Sequence, residues 1–192
     1  LKLCWFKCLG LKLVFWRAYF EGQLMKPATA PPRSRTSHYS QGVPTPKASS
    51  FNASTVEIIS AGHVRILSGQ WILKQPHNFV IPRCQDLPGE AFVPPKLAAQ
   101  LFQTFYGIVA VSYGWLSAQH PDPYGFYFKD LQHYMQTHVA FWLRHLEPPA
   151  DNIGLFWDFA SLPQRGSDGK RTDLEEQSFQ IGLRAINFIY GA

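Results

Sequence analysis

The sequence is short of cysteine, of acid in its first quarter and of uninterrupted apolar stretches, and each shortage closes off a class of protein. Three cysteines in 192 residues, Cys4, Cys8 and Cys84, are too few for a disulfide framework and show no CxxC pairing for zinc, so a reducing, cytoplasmic setting is expected. Residues 1–50 hold a single acid, Glu21, against eight Lys/Arg, whereas residues 51–192 hold twelve acids against ten Lys/Arg. The formal charge of +5 therefore belongs to the tail, and the remainder, slightly acidic, has no electrostatic footprint for a phosphate backbone. Nucleic acid is not an expected partner. Residues 1–20 are mostly apolar, but Lys2, Lys7, Lys12 and Arg17 recur every fifth residue. At 100° per residue they spread round a helix and leave no clean polar face. In a spanning helix, Lys7 and Lys12 would each cost roughly 2.5–3.5 kcal/mol near the bilayer centre. Membrane contact through residues 1–20 is thus the lesser reading, beside an accessory helix or non-native sequence, and residues 1–25 form a segment of uncertain nature.

What is present suits one globular domain with a tail, at 46% hydrophobic and 16% charged residues. Residues 26–50 are rich in Pro, Ser and Thr and almost without large apolar side chains, which predicts a disordered linker. Residues 51–95 read as a small β-meander followed by an extended connection. Three β-branched runs, TVEII, HVRIL and WILK, are broken at Gly62 and Gly69, and residues 75–95 carry five prolines.

From residue 96 the periodicity changes. Leu97, Leu101 and Phe105 share helical spacing, and Ile108–Val111 is a short apolar run without alternation, as a strand covered on both faces would be. Asp122 and Pro123 read as the cap and first turn of a helix carrying Leu131, Met135, Val139, Trp142 and Leu146 on one stripe. Ile153–Trp157 reads as a second buried strand. Thr172 and Glu175 form a capping-box signature for a last helix, with Phe179, Leu183, Ile186 and Tyr190 on one face. The expected fold is α/β, with strand-helix-strand-helix over 108–190 and the two strands parallel.

Parallel strands joined by a helical crossover open their C-terminal ends onto one rim, where open α/β sheets bind ligands. The rim residues are Ser112, Tyr113 and Trp115 after the first strand, and Asp158, Ser161, Gln164 and Arg165 after the second. Asp158 follows five apolar residues, so its carboxylate either accepts backbone N–H groups and fixes the loop or binds a ribose hydroxyl or a cation. Gln164 either reads a base or braces the loop. Tyr113 and Trp115 either pack or stack on a nicotinamide or adenine ring. Ser112 has no partner that would make it a nucleophile. Residues 165–171 precede a helix N-terminus, where anions are favoured, but their two glycines lack Walker A spacing. The seven histidines show no ligand spacing, so no metal is expected.

Ser112-Tyr113-Gly114-Trp115, followed by Asp158 with Gln164 six residues later and by Ile189-Tyr190, resembles the heterokaryon-incompatibility (HET) domain, a relative of the Toll/interleukin-1 receptor (TIR) fold. The phrase Phe156 to Gln164 also resembles uncharacterised algal proteins. The likeness spans about residues 105–192, with departures at Leu116, Trp157, Ser161 and Pro163, and with Glu175-Glu176 out of register with the family's Glu-Arg pair. It implies a flavodoxin/TIR-like parallel sheet over 96–192, incomplete at its C-terminal side, and a role in signalling through protein partners or self-association. It further implies NAD or a related nucleotide as ligand and, in a complete chain, NAD hydrolysis. TIR-like NAD hydrolases carry their catalytic glutamate on a helix beyond the next strand, so no residue here is assigned that role.

Overall fold

The computed structural model describes the backbone of residues 5–8, 11–15, 48–104, 107–145 and 151–190, and the side chains of 54–104, 107–138, 143 and 151–190. Two buried strands form the middle of the sheet. β4 (Ile108–Ser112) and β5 (Gly154–Phe156) run parallel, with Val109 opposite Leu155 and Ala110 opposite Phe156. β3 (Leu67–Ser68) borders β5, and a hairpin of β1 (Trp5–Cys8) and β2 (Leu11–Phe15) borders β4, in the order β1-β2-β4-β5-β3. β3 and β2 are antiparallel to their neighbours, so the sheet is mixed rather than parallel, and β4–β5 is its parallel pair among the described strands. The hairpin lies in the segment left of uncertain nature, where an accessory helix was one of the readings; its described residues, 5–8 and 11–15, are strands.

Both faces of the central strands are covered. Val109, Val111, Leu155 and Trp157 pack with Phe128, Leu131 and Met135 of α4 (Phe126–His145) and Ile72 of α2 (Gly69–Lys74). Ile108, Ala110 and Phe156 face the other way. They meet Ile58 and Ile59 of α1 (Ala48–Ser60), Leu101 and Phe102 of α3 (Pro95–Gln103), and Ala185 and Ile189 of α6 (Asp173–Ile189). Two apolar layers explain why β4 lacks alternation. Burying a side chain the size of Phe128 or Phe156 contributes roughly 2–3 kcal/mol.

The β-meander is not formed. Thr55, Ile58 and Ile59 are buried at i, i+3 and i+4, a helical stripe, so the first run belongs to α1. Of the second run only Leu67 enters a strand, and the third is the body of α2. At the expected break before Gly69, the Ser68 hydroxyl accepts from Trp71 N and caps α2. Residues 48–50 of the expected linker lie in α1, and 26–47 fall outside the described residues. The proline-rich connection carries two short 3-10 turns, Cys84–Asp86 and Gly89–Ala91.

The later helices keep their expected order with shifted faces. α3 buries Ala98, Ala99, Leu101 and Phe102 while Leu97 is exposed; Phe105 lies outside the described residues. α4 begins at Phe126, four residues after Asp122, because Pro123-Tyr124-Gly125 first makes a turn with Gly125 at φ +72°. Asp122 still caps it, Oδ2 accepting from Phe128 N at 2.9 Å. The side chains of Val139 and Trp142, and all of Leu146, are outside the described set. α6 opens on the expected capping box, with Thr172 and Glu175 bonded in both directions. Its buried line is Gly182, Ala185 and Ile189, flanked by half-buried Phe179, Ile186 and Tyr190, and Leu183 is exposed.

Candidate functional site

The parallel pair brings its two C-terminal ends together, and there the two best-placed polar groups bind each other. Tyr113, one residue beyond β4, donates its hydroxyl to Asp158 Oδ1 at the start of the short helix α5 (Asp158–Ser161). The same oxygen accepts from Phe159 N at 2.7 Å. Burial, reinforced by the Asp158 charge, pushes the Tyr113 phenol far above its usual range, so it remains a donor. Tyr113 also packs edge-on against Trp157 with centroids 5.3 Å apart. Tyr190 Oη donates to Val111 O at 3.1 Å, and burial likewise raises that phenol. Of the two roles open to Asp158, the geometry supports the one that fixes the loop.

Ser161 is fully buried, and its hydroxyl accepts from Trp157 N at 3.0 Å, which closes the turn after β5. Ser112 ends β4 opposite Lys12 of β2 and is half-buried. Neither lines the cleft beside these strand ends. Gln164 braces its own loop, Nε2 donating to Asp158 O at 3.2 Å and to Leu162 O at 2.9 Å.

Beside these strand ends lies a cleft of about 690 Å³. Trp115, Phe159, Gln119 and Gln164 line one part of it, and Arg83, Arg165, Arg171 and residues 166, 167 and 169 line the rest. Its volume falls in the range of small-molecule sites, roughly 300–1,000 Å³. Trp115 is 49% exposed and stands edge-on to Phe159 at 5.9 Å, which leaves ring surface open. The three arginines differ. Arg83 is forked onto Asp86, with Nε to Oδ2 at 2.7 Å. Arg171 is nearly buried, lies over the Phe179 ring at 3.5 Å and bonds Pro163 O and Glu176. Gln180 and Arg171 together hold the exposed Glu176 carboxyl below its usual range. Arg165 is exposed and, among the described residues, makes no ion pair.

The loop that carries Arg165 is folded back on itself. Gly166 N donates to Lys170 O at 2.7 Å, Lys170 N donates to Asp168 Oδ1 at 3.0 Å, and Gly169 sits at φ +75°, which suits glycine. Of the seven rim residues expected, Trp115, Gln164 and Arg165 meet at the cleft; Tyr113, Asp158 and Ser161 are hydrogen-bonded around the strand ends, and Ser112 is outside the lining. Arg83, Gln119, Phe159 and Arg171 were not foreseen as lining. Arg171 alone had a local signal, its place in the basic loop before α6. Among the described residues no group of three His, Cys, Asp or Glu is placed to hold a metal, and no helix is long and apolar enough to cross a membrane.

These features define a mixed α/β protein with helices on both faces of its sheet and a cationic, aromatic cleft beside the parallel strand ends. No family model, curated protein or solved structure matches the chain.

Proposed function

We propose that this is a HET/TIR-like signalling or interaction domain whose cleft binds a nucleotide. The observation that carries the reading is the lining itself: an open indole face at Trp115, two amides at Gln119 and Gln164, and the exposed guanidinium of Arg165, which makes no ion pair among the described residues. An indole stacks on a base, amides meet its edge, and guanidinium groups take phosphate oxygens in bidentate fashion. No carboxylate lines the cleft among the described residues, and Asp158 is engaged by Tyr113 and Phe159 N. That distribution favours binding over hydrolysis of NAD.

Titration calorimetry with ADP and with NAD tests the reading. Binding is expected, and Arg165→Ala and Trp115→Ala are each expected to weaken it about tenfold or more without lowering the melting temperature appreciably. No heat from either nucleotide, or native-like affinity in both variants, would overturn it.

A further inference from the structure

We infer that Gln85, together with Arg83, is a positioning residue that sets the backbone of Gln164 and Arg165 and thereby aims the groups they present to the cleft; the inference rests on the cleft being the binding site. Gln85 Oε1 accepts from Gln164 N at 3.0 Å, and Gln85 Nε2 donates to Gln164 O at 2.7 Å. One amide side chain thus pairs with both main-chain groups of a single residue, as a neighbouring strand would. The next peptide is held as well, since Arg83 Nη1 donates to Arg165 O at 3.1 Å.

Both clamping side chains are themselves fixed. Arg83 is oriented by its fork on Asp86. Gln85 Nε2 also donates to Glu175 Oε1 at 3.2 Å, and Glu175 is held in turn because its Oε2 accepts from Thr172 N at 2.8 Å. The turn that carries them is seated on buried Cys84 and Leu87, and Cys84 O accepts from Arg65 Nη1 at 3.4 Å. Gln85 is not part of the cleft lining, so it acts on a ligand only through Gln164 and Arg165. A bound anion would pull on a guanidinium whose backbone is tied at two successive carbonyls. The clamp keeps that backbone from giving way, which is how a fixed loop holds binding geometry.

The test uses the full chain, with ADP as probe and amide hydrogen exchange as a second readout. Gln85→Met keeps the side chain's length and removes all three hydrogen bonds, the two to Gln164 and the one to Glu175. Faster exchange at the Gln164 amide and ADP binding weakened about tenfold are expected, with little change in melting temperature. The paired change Gln85→Glu with Glu175→Gln reverses donor and acceptor across the contact between residues 85 and 175 and preserves the acceptor for Gln164 N, while giving up the bond to Gln164 O. Partial recovery of protection and affinity relative to Gln85→Met is expected of the pair. Unchanged exchange at Gln164 in Gln85→Met overturns the inference, as does affinity that falls only in step with melting temperature and is not recovered by the pair. If the native chain binds no ADP, the cleft reading fails, and exchange alone then decides the clamp: faster exchange supports it and unchanged exchange overturns it.

Discussion

One buried thiol and two partly buried phenols at the residue scale tie stability to high pH. Burial lifts the Cys84 thiol from 9.0 to about 11, and burial together with Asp158 lifts the Tyr113 and Tyr190 phenols. In each case the folded state keeps a proton that the unfolded chain gives up at lower pH. Stability is therefore complete below about pH 9 and falls as pH rises through the window from 9 to 11 for Cys84, with the tyrosines adding to the loss above their ordinary value near 10. Urea denaturation at pH 8 and pH 11 is expected to differ by about 2 kcal/mol from the thiol alone, and Cys84→Ala should flatten the lower part of that slope. Tyr113→Phe removes the hydroxyl from Asp158 Oδ1, which retains the Phe159 N–H. A loss of about 2 kcal/mol in urea denaturation is expected for a bond to a carboxylate. That Tyr113 and Asp158 would join was not legible in the sequence, because each residue type also suits a ligand. Only the parallel pairing of β4 and β5 settles which partner is closer.

Single elements were legible where a local rule acts without help. The capping box at Thr172 fixes the start of α6, and unbroken apolar runs mark β4 and β5. The first run of the supposed meander was misread because Val56, Ile58 and Ile59 suit a strand by shape, while their burial follows a helical stripe that α3 and α6 complete. Asp122 shows a rule working at a distance. Its carboxylate is wholly buried and caps α4 from six residues before Phe128, so Asp122→Ala is expected to cost about 1–2 kcal/mol by thermal or urea denaturation. Gly182 gives the opposite sign from helix propensity. A Cβ there would stand 2.6 Å from Leu162 Cδ2 and 3.0 Å from His63 O, so α6 lies against backbone that has little room to move. Gly182→Ala would gain about 1 kcal/mol of propensity in an exposed helix. At this site it is expected to destabilise by about 1–2 kcal/mol, measurable as a lower midpoint in urea.

For the whole molecule, the layered order of helix, sheet and helix was partly foreseeable from two buried strands, each followed by an amphipathic helix. The mixed sheet was not, because β2 and β3 declare their direction only by the partners they find. Part of the cleft was foreseen through Trp115, Gln164 and Arg165. Arg83, which lines it, and Gln85, which braces it from outside the lining, lie in a connection without periodicity, where no local pattern points to a site. The clamp joins residues 79 and 82 positions apart along the chain. Closing such long loops is entropically costly and slow, so the cleft is expected to take shape after the sheet and its helices have packed. A ligand in that cleft would stabilise contacts that the folding transition state has yet to form. ADP is then expected to leave the refolding rate nearly unchanged and to slow unfolding, so that its protection is read in the lifetime of the native state.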